Sequence, residues 1–254
     1  MSRVMAHLVA HYPDRERSLA VARGLARGGA AYLEVQFPFS DPTADGPAIQ
    51  RACQIALESG FRVDAGFDFV REIASGAADA TGRPSIFIMT YASLVYARGV
   101  RRFLADGVAA GADGFILPDI PLDYDEGVWE IAGELDTRIV PVSVTSARDD
   151  RVDLLFAREP EYVYVALRRG ITGARTEIGE ENLRFIDRLR DRGVKVLAGF
   201  GISERDQVVA LEPHVHASVV GSAFVRTVTE HASGSAAEIE SAIARQASDL
   251  SGLG

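Results

Sequence analysis

Two acidic positions close together in the sequence could carry out acid–base chemistry. Glu34 lies inside the apolar run "AAYLEV" (30–35), and Asp45 lies in the loop "FPFSDPTADG" (37–46) that follows. Because side chains alternate along a strand, Glu34 faces away from Leu33 and Val35. Burying a carboxylate is costly unless it is paired or protonated, which suits a general acid–base group. Two carboxylates that converge on one site from different environments can take different roles.

Both carboxylates also have structural interpretations. A glutamate inside a strand can simply be hydrogen-bonded to a neighbouring hydroxyl. Aspartates in "SDP" and "ADG" often do no more than close a turn, and this applies most strongly to Asp41. Asp45 differs from Asp41 only through its expected convergence with Glu34.

Glycine-rich segments after three later apolar runs are typical of an anion site. They are "RRGITGARTE" (168–177), "GFGIS" (199–203) and "VVGSAF" (219–224). Glycine lets backbone N–H groups approach an anion, and a helix N-terminus adds a favourable dipole. Each segment alone is a weak signal. Three of them at successive strand ends favour a phosphate site, with Gly201 preceding one helix and Gly221 and Ser222 opening another.

Eight short apolar runs alternate with helical patterns, and they must position these residues. Continuous apolar runs suit parallel strands buried on both faces, and the intervening helices suit crossover connections. An open doubly wound sheet would usually carry a Gly-x-Gly-x-x-Gly turn after an early strand, and none is present here. We therefore expect an α/β fold, a single (β/α)8 TIM barrel over residues 1–254, with its chemistry at the carboxyl ends of the strands. The expected strands are 5–10, 31–35, 85–91, 113–119, 138–144, 162–167, 194–200 and 217–223.

Composition limits the partners and the compartment. The 254 residues are 47% hydrophobic, enough for one large core, and the formal net charge is −9. No basic cluster with aromatics indicates nucleic acid, and no apolar run is long enough to cross a membrane. One cysteine, Cys53, excludes an intramolecular disulfide and fits a reducing cytoplasm, which is the expected location.

Other barrel chemistries fit the sequence less well. A Schiff-base lysine is disfavoured because Lys195, the one lysine, opens its strand at the floor of the barrel, roughly 13 Å from the mouth at ~3.3 Å per residue. The histidines do not form clustered metal ligands at several strand ends. His214 and His216 precede the last strand and therefore lie at the wrong end, so no metal is expected.

The segment "LEVQFPFSDPTADGPAIQRA" (33–52) closely resembles the signature of the tryptophan synthase alpha subunit family. Further segments match that family in order and spacing along nearly the whole chain: "GADGFILPDIP" (111–121), "GITGARTE" (170–177), "GFGIS" (199–203) and "VVGSAFV" (219–225). The resemblance implies a lyase of L-tryptophan biosynthesis. It would cleave indole-3-glycerol phosphate to indole and glyceraldehyde 3-phosphate by a retro-aldol reaction, with no cofactor.

The resemblance also implies roles for individual residues. Glu34 would be the catalytic acid–base group, and Asp45 an ionised carboxylate that stabilises the indole N–H as the ring becomes positive. Thr172 would orient Asp45. The expected substrate-binding residues are Tyr164, Thr172, Gly173, Phe200, Gly201, Gly221 and Ser222.

The implied partner is a pyridoxal-phosphate β subunit in an α2β2 assembly. Asp41 and Pro42 are the candidates for that contact, because they are loop residues with no needed role in the chemistry. A partner that docks at the mouth would favour a closed site and raise turnover without supplying a catalytic group.

Four positions depart from the family pattern. His7 stands where a pocket aromatic is often found, His11 and Gln36 replace glycines, and Ser93 replaces a common asparagine. The departures leave two alternatives open: a phosphate-binding barrel lyase for a related indole or sugar phosphate, and a non-catalytic regulator of a β subunit. The presence of both Glu34 and Asp45 argues against the second.

Overall fold

The computed structural model describes residues 2–76, 83–167 and 177–253. A single parallel sheet runs in the order β5-β4-β3-β2-β1-β9-β8-β7-β6. Its strands are β1 (Val4–Val9), β2 (Tyr32–Gln36), β3 (Ser85–Met89), β4 (Gly114–Ile116), β5 (Arg138–Val140), β6 (Val142–Val144), β7 (Tyr162–Ala166), β8 (Lys195–Gly199) and β9 (Ala217–Val220). The described part of the chain contains no helix long and apolar enough to cross a membrane.

The two ends of this strand order meet at Pro141. Proline has no N–H group to donate to a neighbouring strand, and it separates β5, which pairs with β4, from β6, which pairs with β7. Its carbonyl still accepts a hydrogen bond from the Tyr164 N–H at 2.9 Å, which ties the interruption to β7. The two short strands are therefore halves of one barrel strand, and the sheet closes into the expected eight-stranded barrel.

Helices cover the outside of the barrel. They are α1 (Arg15–Arg27), α2 (Pro47–Glu58), α3 (Val63–Gly76), α4 (Ala92–Arg98), α5 (Val100–Ala110), α6 (Val128–Glu134), α7 (Asp149–Phe156), α8 (Glu180–Arg190), α9 (Arg205–Leu211), α10 (Ser222–Glu230) and α11 (Ala236–Ser251). Local signals start several of them. The Asp14 carboxylate accepts a hydrogen bond from the Arg17 N–H at 2.9 Å before α1, and Pro47 occupies the first turn of α2.

Apolar side chains form two separate layers. The larger layer fills the space between the strands and the helices. The smaller layer fills the barrel interior, as expected when alternate residues of parallel strands point inward. Its buried members are Met5, Phe87, Met89, Tyr91, Ile116, Val140, Tyr162, Tyr164, Leu197, Ala217 and Val219. Above this interior layer, the carboxyl ends of the strands surround the candidate site.

Candidate active site

A pocket at the carboxyl ends of the strands brings together residues that are far apart in the sequence. Both predicted carboxylates line it, together with five of the seven predicted substrate-binding residues. Its lining is His7, Glu34, Ala44, Asp45, Ile49, Met89, Ile116, Pro118, Val142, Tyr164, Phe200, Gly201, Val219, Gly221 and Ser222. Most of these side chains are apolar, and a few polar groups converge among them, which is typical of a small-molecule site.

Glu34 points from β2 into the barrel, as the alternation predicts, and is only 5% exposed. Its register partner on the neighbouring strand β1 is His7, which is 3% exposed. The His7 Nδ1 atom lies 3.3 Å from Glu34 Oε1. The buried carboxylate therefore has a direct partner, and that partner is an imidazole rather than a hydroxyl.

The pair affects the titration of His7. Burial alone lowers the pKa of His7, but the charge of the Glu34 carboxylate and its contact with the ring outweigh burial. Asp45 and Gln36 act in the same direction as Glu34, so the pKa of His7 lies above its ordinary value of 6.5. An imidazolium is thus favoured beside the two carboxylates.

Asp45 is held at the same mouth by a different set of contacts. Its Oδ2 accepts a hydrogen bond from Gln36 Nε2 at 2.8 Å and another from the Tyr91 hydroxyl at 2.8 Å. Tyr91 is itself fixed, because its oxygen accepts the Ala44 N–H at 3.1 Å and its ring stacks on Phe39. Both of these side-chain hydrogen bonds are made to Oδ2 and not to Oδ1.

The electrostatics of Asp45 reflect two opposing effects. Burial raises the pKa of Asp45 above its ordinary value of 3.8, and the Glu34 charge adds to this. His7, Tyr91 and Gln36 each act to lower the pKa, because they stabilise the carboxylate form. The two carboxylates therefore have different partners: an imidazole for Glu34, and a phenol and an amide for Asp45.

The loop that carries Asp45 also contains Asp41 and Pro42. The Asp45 N–H donates to the Pro42 carbonyl at 3.0 Å, and Gln50 Nε2 donates to the Asp45 carbonyl at 2.8 Å, which fixes the loop onto α2. Asp41 is exposed and accepts a hydrogen bond from Ser40 Oγ at 2.6 Å. Pro42 is largely buried but lines a surface groove beside α2 together with Phe39.

Tyr164 lines the pocket from β7 and is buried. Its hydroxyl requires glycine on the next strand, because a Cβ atom at Gly199 would lie 2.5 Å from it. Burial, with smaller contributions from the Glu34 and Asp45 charges, raises the pKa of Tyr164 well above its ordinary value of 10.0. Tyr164 is therefore a neutral hydroxyl beside the carboxylates. Phe200 makes an edge-on contact with its ring, at 6.0 Å between centroids.

The two helix starts beside the pocket are not equivalent. Before α9, the Ser203 and Glu204 N–H groups donate to Gln207 Oε1 at 2.9 and 3.1 Å, so that helix start is already capped. Before α10, Gly221 provides no side-chain cap, and both Gly221 and Ser222 line the pocket. The first turn of α10 is therefore the better anion site of the two.

Backbone conformation also distinguishes the turn after β8. Phe200 and Gly201 both adopt positive φ angles, 76° and 83°. Positive φ is costly for phenylalanine and easily adopted by glycine. This turn directs the Phe200 ring toward Tyr164 and the pocket. Thr172 and Gly173, the other two predicted substrate-binding residues, lie outside the described residues.

The positions set aside in the sequence lie where they were expected. Lys195 Nζ contacts Glu161 Oε1 at 2.7 Å at the amino end of β8, far from the pocket. His214 contacts Asp187 and His216 contacts Tyr32, both at that same end.

Three residues that contact the carboxylates, His7, Gln36 and Tyr91, were not predicted from the sequence to do so. His7 and Gln36 appeared only as departures from a family pattern, and Tyr91 was not singled out. Alternation along β1 and β2 could have placed His7 and Gln36 on the inward face with Glu34. Their pairing with a particular carboxylate depends on the strand register and the loop path, which the local sequence does not specify.

Comparisons with known proteins agree with this geometry. The family model described as tryptophan synthase alpha chain matches residues 2–251. The tryptophan synthase alpha chain of Helicobacter hepaticus is 37% identical over 89% of this chain and 86% of its own length, and that of Methanopyrus kandleri is 32% identical over 97% and 87%. Among solved structures, a chain of the tryptophan synthase α2β2 complex from Pyrococcus furiosus is 32% identical. It superposes with a TM-score of 0.87 over 99% of this chain and 98% of that one.

Proposed function

Since the chain belongs to the tryptophan synthase alpha chain family, we propose that it cleaves indole-3-glycerol phosphate with the pocket described above. The products are indole and glyceraldehyde 3-phosphate. The observation that carries the proposal is the convergence of two buried carboxylates with different partners, Glu34 and Asp45, on one pocket. We also propose that residues 1–254 act as one domain and, from the lone buried Cys53, that the compartment is the cytoplasm.

The reaction needs a proton at one carbon and a base at one hydroxyl. Glu34 protonates C3 of the indole ring, which makes the ring a leaving group. The bond between C3 and the glycerol chain then breaks, and its electron pair returns to the ring while the adjacent hydroxyl becomes an aldehyde. Glu34 takes the hydroxyl proton, so the group ends the cycle in its starting protonation state.

Asp45 stabilises the charge that appears during this step. Protonation at C3 makes the indole ring cationic and its N–H more acidic, so a nearby carboxylate lowers the barrier. The Gln36 and Tyr91 hydrogen bonds hold Oδ2 and turn Oδ1 toward the substrate.

The remaining pocket residues orient the substrate. Tyr164 and Phe200 form the apolar wall for the ring, and Gly201, Gly221 and Ser222 hold the phosphate, with α10 supplying free N–H groups. Thr172 and Gly173 complete this set. No cofactor takes part in the proposed reaction.

The test is indole release from indole-3-glycerol phosphate by the purified chain. We expect Glu34→Gln to lower turnover by at least ~100-fold, the usual contribution of a general acid–base group. Glu161→Gln, at the opposite end of the barrel, is the control and is expected to retain wild-type turnover. Near wild-type turnover in folded Glu34→Gln would remove Glu34 from the mechanism.

We also propose that the chain acts with a β subunit, a pyridoxal-phosphate enzyme that consumes the indole, in an α2β2 assembly. Its similarity to chains from tryptophan synthase complexes supports this. The exposed Asp41, and Pro42 and Phe39 with the groove that they line, belong to the same loop as Asp45. A partner bound there reaches the Asp45 loop without entering the pocket.

A cognate β subunit is expected to raise indole release at least ~10-fold, which corresponds to about 1.4 kcal/mol of barrier lowering. Asp41→Ala is expected to weaken that stimulation while the activity of the isolated chain holds. Asp249→Ala, an exposed position on α11, is the control. Unchanged kcat/KM at saturating β subunit would refute the coupling, though not the lyase activity.

A further inference from the structure

Two buried polar side chains that contact the carboxylates, His7 in the pocket wall and Gln36 behind Asp45, have no part in the bond-breaking steps. His7 contacts Glu34, with Nδ1 3.3 Å from Oε1, and Gln36 donates to Asp45 Oδ2 at 2.8 Å. His7 is 3% exposed and Gln36 is completely buried. Each carboxylate is thus held by one of the residues that depart from the family pattern.

We propose that His7 and Gln36 act together as positioning residues, and that the chain Glu34–His7–Gln36–Asp45 fixes both carboxylates and couples their charges. The inference rests on the proposed function, because it assigns these residues to the same reaction. Neither residue touches the bonds that change. Each acts through the carboxylate that it holds.

The charges of the pocket explain why such a pair is useful. Two carboxylates buried at one mouth repel each other, and the repulsion disfavours having both ionised. An imidazolium at His7 faces Glu34 on β2 and Asp45 in the loop, and it offsets one of the two negative charges. Tyr164 on β7, Tyr91 after β3 and Cys53 on α2 are the other titratable groups near the carboxylates in the described part of the chain, and their raised pKa values keep them neutral.

Two unpartnered atoms support the link between His7 and Gln36. His7 Nε2 and Gln36 Oε1 are both buried and make no hydrogen bond to the residues that the structure describes. They are complementary, since a protonated ring donates from Nε2 and an amide oxygen accepts. The Gln36 amide also acts to raise the pKa of His7. A hydrogen bond between these two atoms would complete the chain between the carboxylates.

The kinetic test is a double-mutant cycle. His7→Phe keeps an aromatic ring but removes both nitrogens, and Gln36→Met keeps the length but removes the amide. We expect each to lower kcat at least 10-fold and to change KM less than 3-fold. The double variant is expected to lose clearly less than the product of the two effects, because the residues act as one unit. Met5→Leu, at an inward position of β1, is the control. Wild-type kcat in folded His7→Phe, or fully multiplicative effects, would overturn the proposal.

A second readout needs no substrate and separates charge from shape. In protein labelled at histidine, NMR titration should show His7 protonated at a higher pH than His216, whose pKa is lowered to about 4. Glu34→Gln should shift the His7 titration at least one pH unit lower and leave His216 unchanged. A pKa of His7 that is the same in Glu34→Gln as in the wild-type chain would overturn the proposal. If the titration responds but the wild-type chain releases no indole, the coupling stands and the proposed reaction fails.

Discussion

The protonation state of Asp45 depends in part on one neighbouring group, the hydroxyl of Tyr91. It donates to Asp45 Oδ2 at 2.8 Å, and its ring stays fixed by stacking on Phe39. Tyr91→Phe therefore removes this hydrogen bond and the one that the hydroxyl accepts from the Ala44 N–H at 3.1 Å, but little packing. A hydrogen bond to a charged group is worth about 1.5–3 kcal/mol, so we expect kcat to fall roughly 10- to 100-fold. Indole release by the variant measures this, with the exposed Tyr124→Phe as the control.

The same substitution makes a prediction about pH. The Tyr91 hydroxyl lowers the pKa of Asp45, so its loss raises that pKa further. If the reaction needs ionised Asp45, the acid limb of the kcat profile moves to higher pH in Tyr91→Phe. A loss of kcat with an unshifted acid limb would mean that Tyr91 acts by shape alone.

The residues that could be predicted are those with a strong local pattern. Glu34 stands out because it interrupts an apolar strand, and Asp45 because proline and glycine surround it in a short loop. The partners of these carboxylates could not be predicted, because His7 reaches Glu34 through the register of β1 on β2 and Tyr91 reaches Asp45 from the end of β3. Neither contact can be predicted from a short stretch of sequence, because the partners are distant along the chain.

The N-terminus of α10 is the element that we expect to hold the phosphate. Ser222 is its first residue and lines the pocket. Ser222→Asp places a negative charge at this point, and we expect KM for indole-3-glycerol phosphate to rise at least ~10-fold through like-charge repulsion. The helix dipole favours an acidic residue in the first turn by about 0.3–1 kcal/mol, but Ser222 is only 7% exposed, so the cost of burying the new carboxylate opposes this gain and stability is expected to fall.

Ser222→Asn is the matched control for charge, and the expected order of KM is wild type, then Asn, then Asp. Steady-state kinetics and a urea unfolding curve for each variant measure the two properties separately. Equal KM for the Asn and Asp variants would mean that the phosphate binds elsewhere.

Helix α5 packs so closely on the barrel that one position requires glycine. A Cβ atom at Gly107 would lie 2.5 Å from Cζ of Phe115, which is completely buried on β4. We expect Gly107→Ala to lower the free energy of unfolding by about 1–3 kcal/mol, the usual cost of overpacking. Gly133 on α6 is the matched control: nothing lies within 4 Å of its Cβ position, so Gly133→Ala should be neutral or stabilising by up to about 1 kcal/mol. Urea unfolding compares the two, and equal effects would contradict the packing argument.

At the level of elements, the sequence predicted the alternation of strands and helices better than it predicted breaks within strands and additional helices. The eight apolar runs coincide with the barrel strands, because strands buried on both faces leave an unmistakable pattern. The break at Pro141 lies inside a run that is apolar throughout, so hydrophobicity alone does not reveal it. Helix α3 (Val63–Gly76) was not predicted from the sequence. One helix was expected between the second and third strands, and two are present.

Across the whole molecule, ionisable groups gather at both ends of the barrel and for different reasons. At the mouth, His7 and the carboxylates face a pocket. At the floor, the Tyr32 hydroxyl lies 2.6 Å from His216 Nε2, and Glu161 pairs with Lys195 and Arg138 at 2.7 and 3.0 Å. The Glu161 contacts join neighbouring barrel strands, the Tyr32 contact reaches past β1 to the residue before β9, and neither takes part in the proposed chemistry. This division matches the usual separation in such barrels between a catalytic face and a stabilising face.

The two ends should give opposite pH dependences of stability. The pKa of His7 is raised above 6.5, so its contribution is complete below about pH 6.5 and is lost as pH rises through the folded-state pKa. The pKa of His216 is lowered to about 4, mainly by burial and by the nearby Arg3 and Lys195 charges, so its neutral form supports the fold. That support is lost as pH falls from 6.5 toward 4, because the unfolded chain binds the proton more readily.

Urea unfolding between pH 4.5 and 9 can separate these contributions by difference. Relative to His216→Phe, the wild-type chain should lose about 1–3 kcal/mol of unfolding free energy as pH falls from 6.5 to 4.5. Relative to His7→Phe, it should lose unfolding free energy as pH rises above 6.5 through the folded-state pKa of His7. The differences arise from groups at opposite ends of the barrel, so they should add in the double variant. A difference from His7→Phe that stays constant across this range would mean that the ring next to Glu34 does not change its charge there.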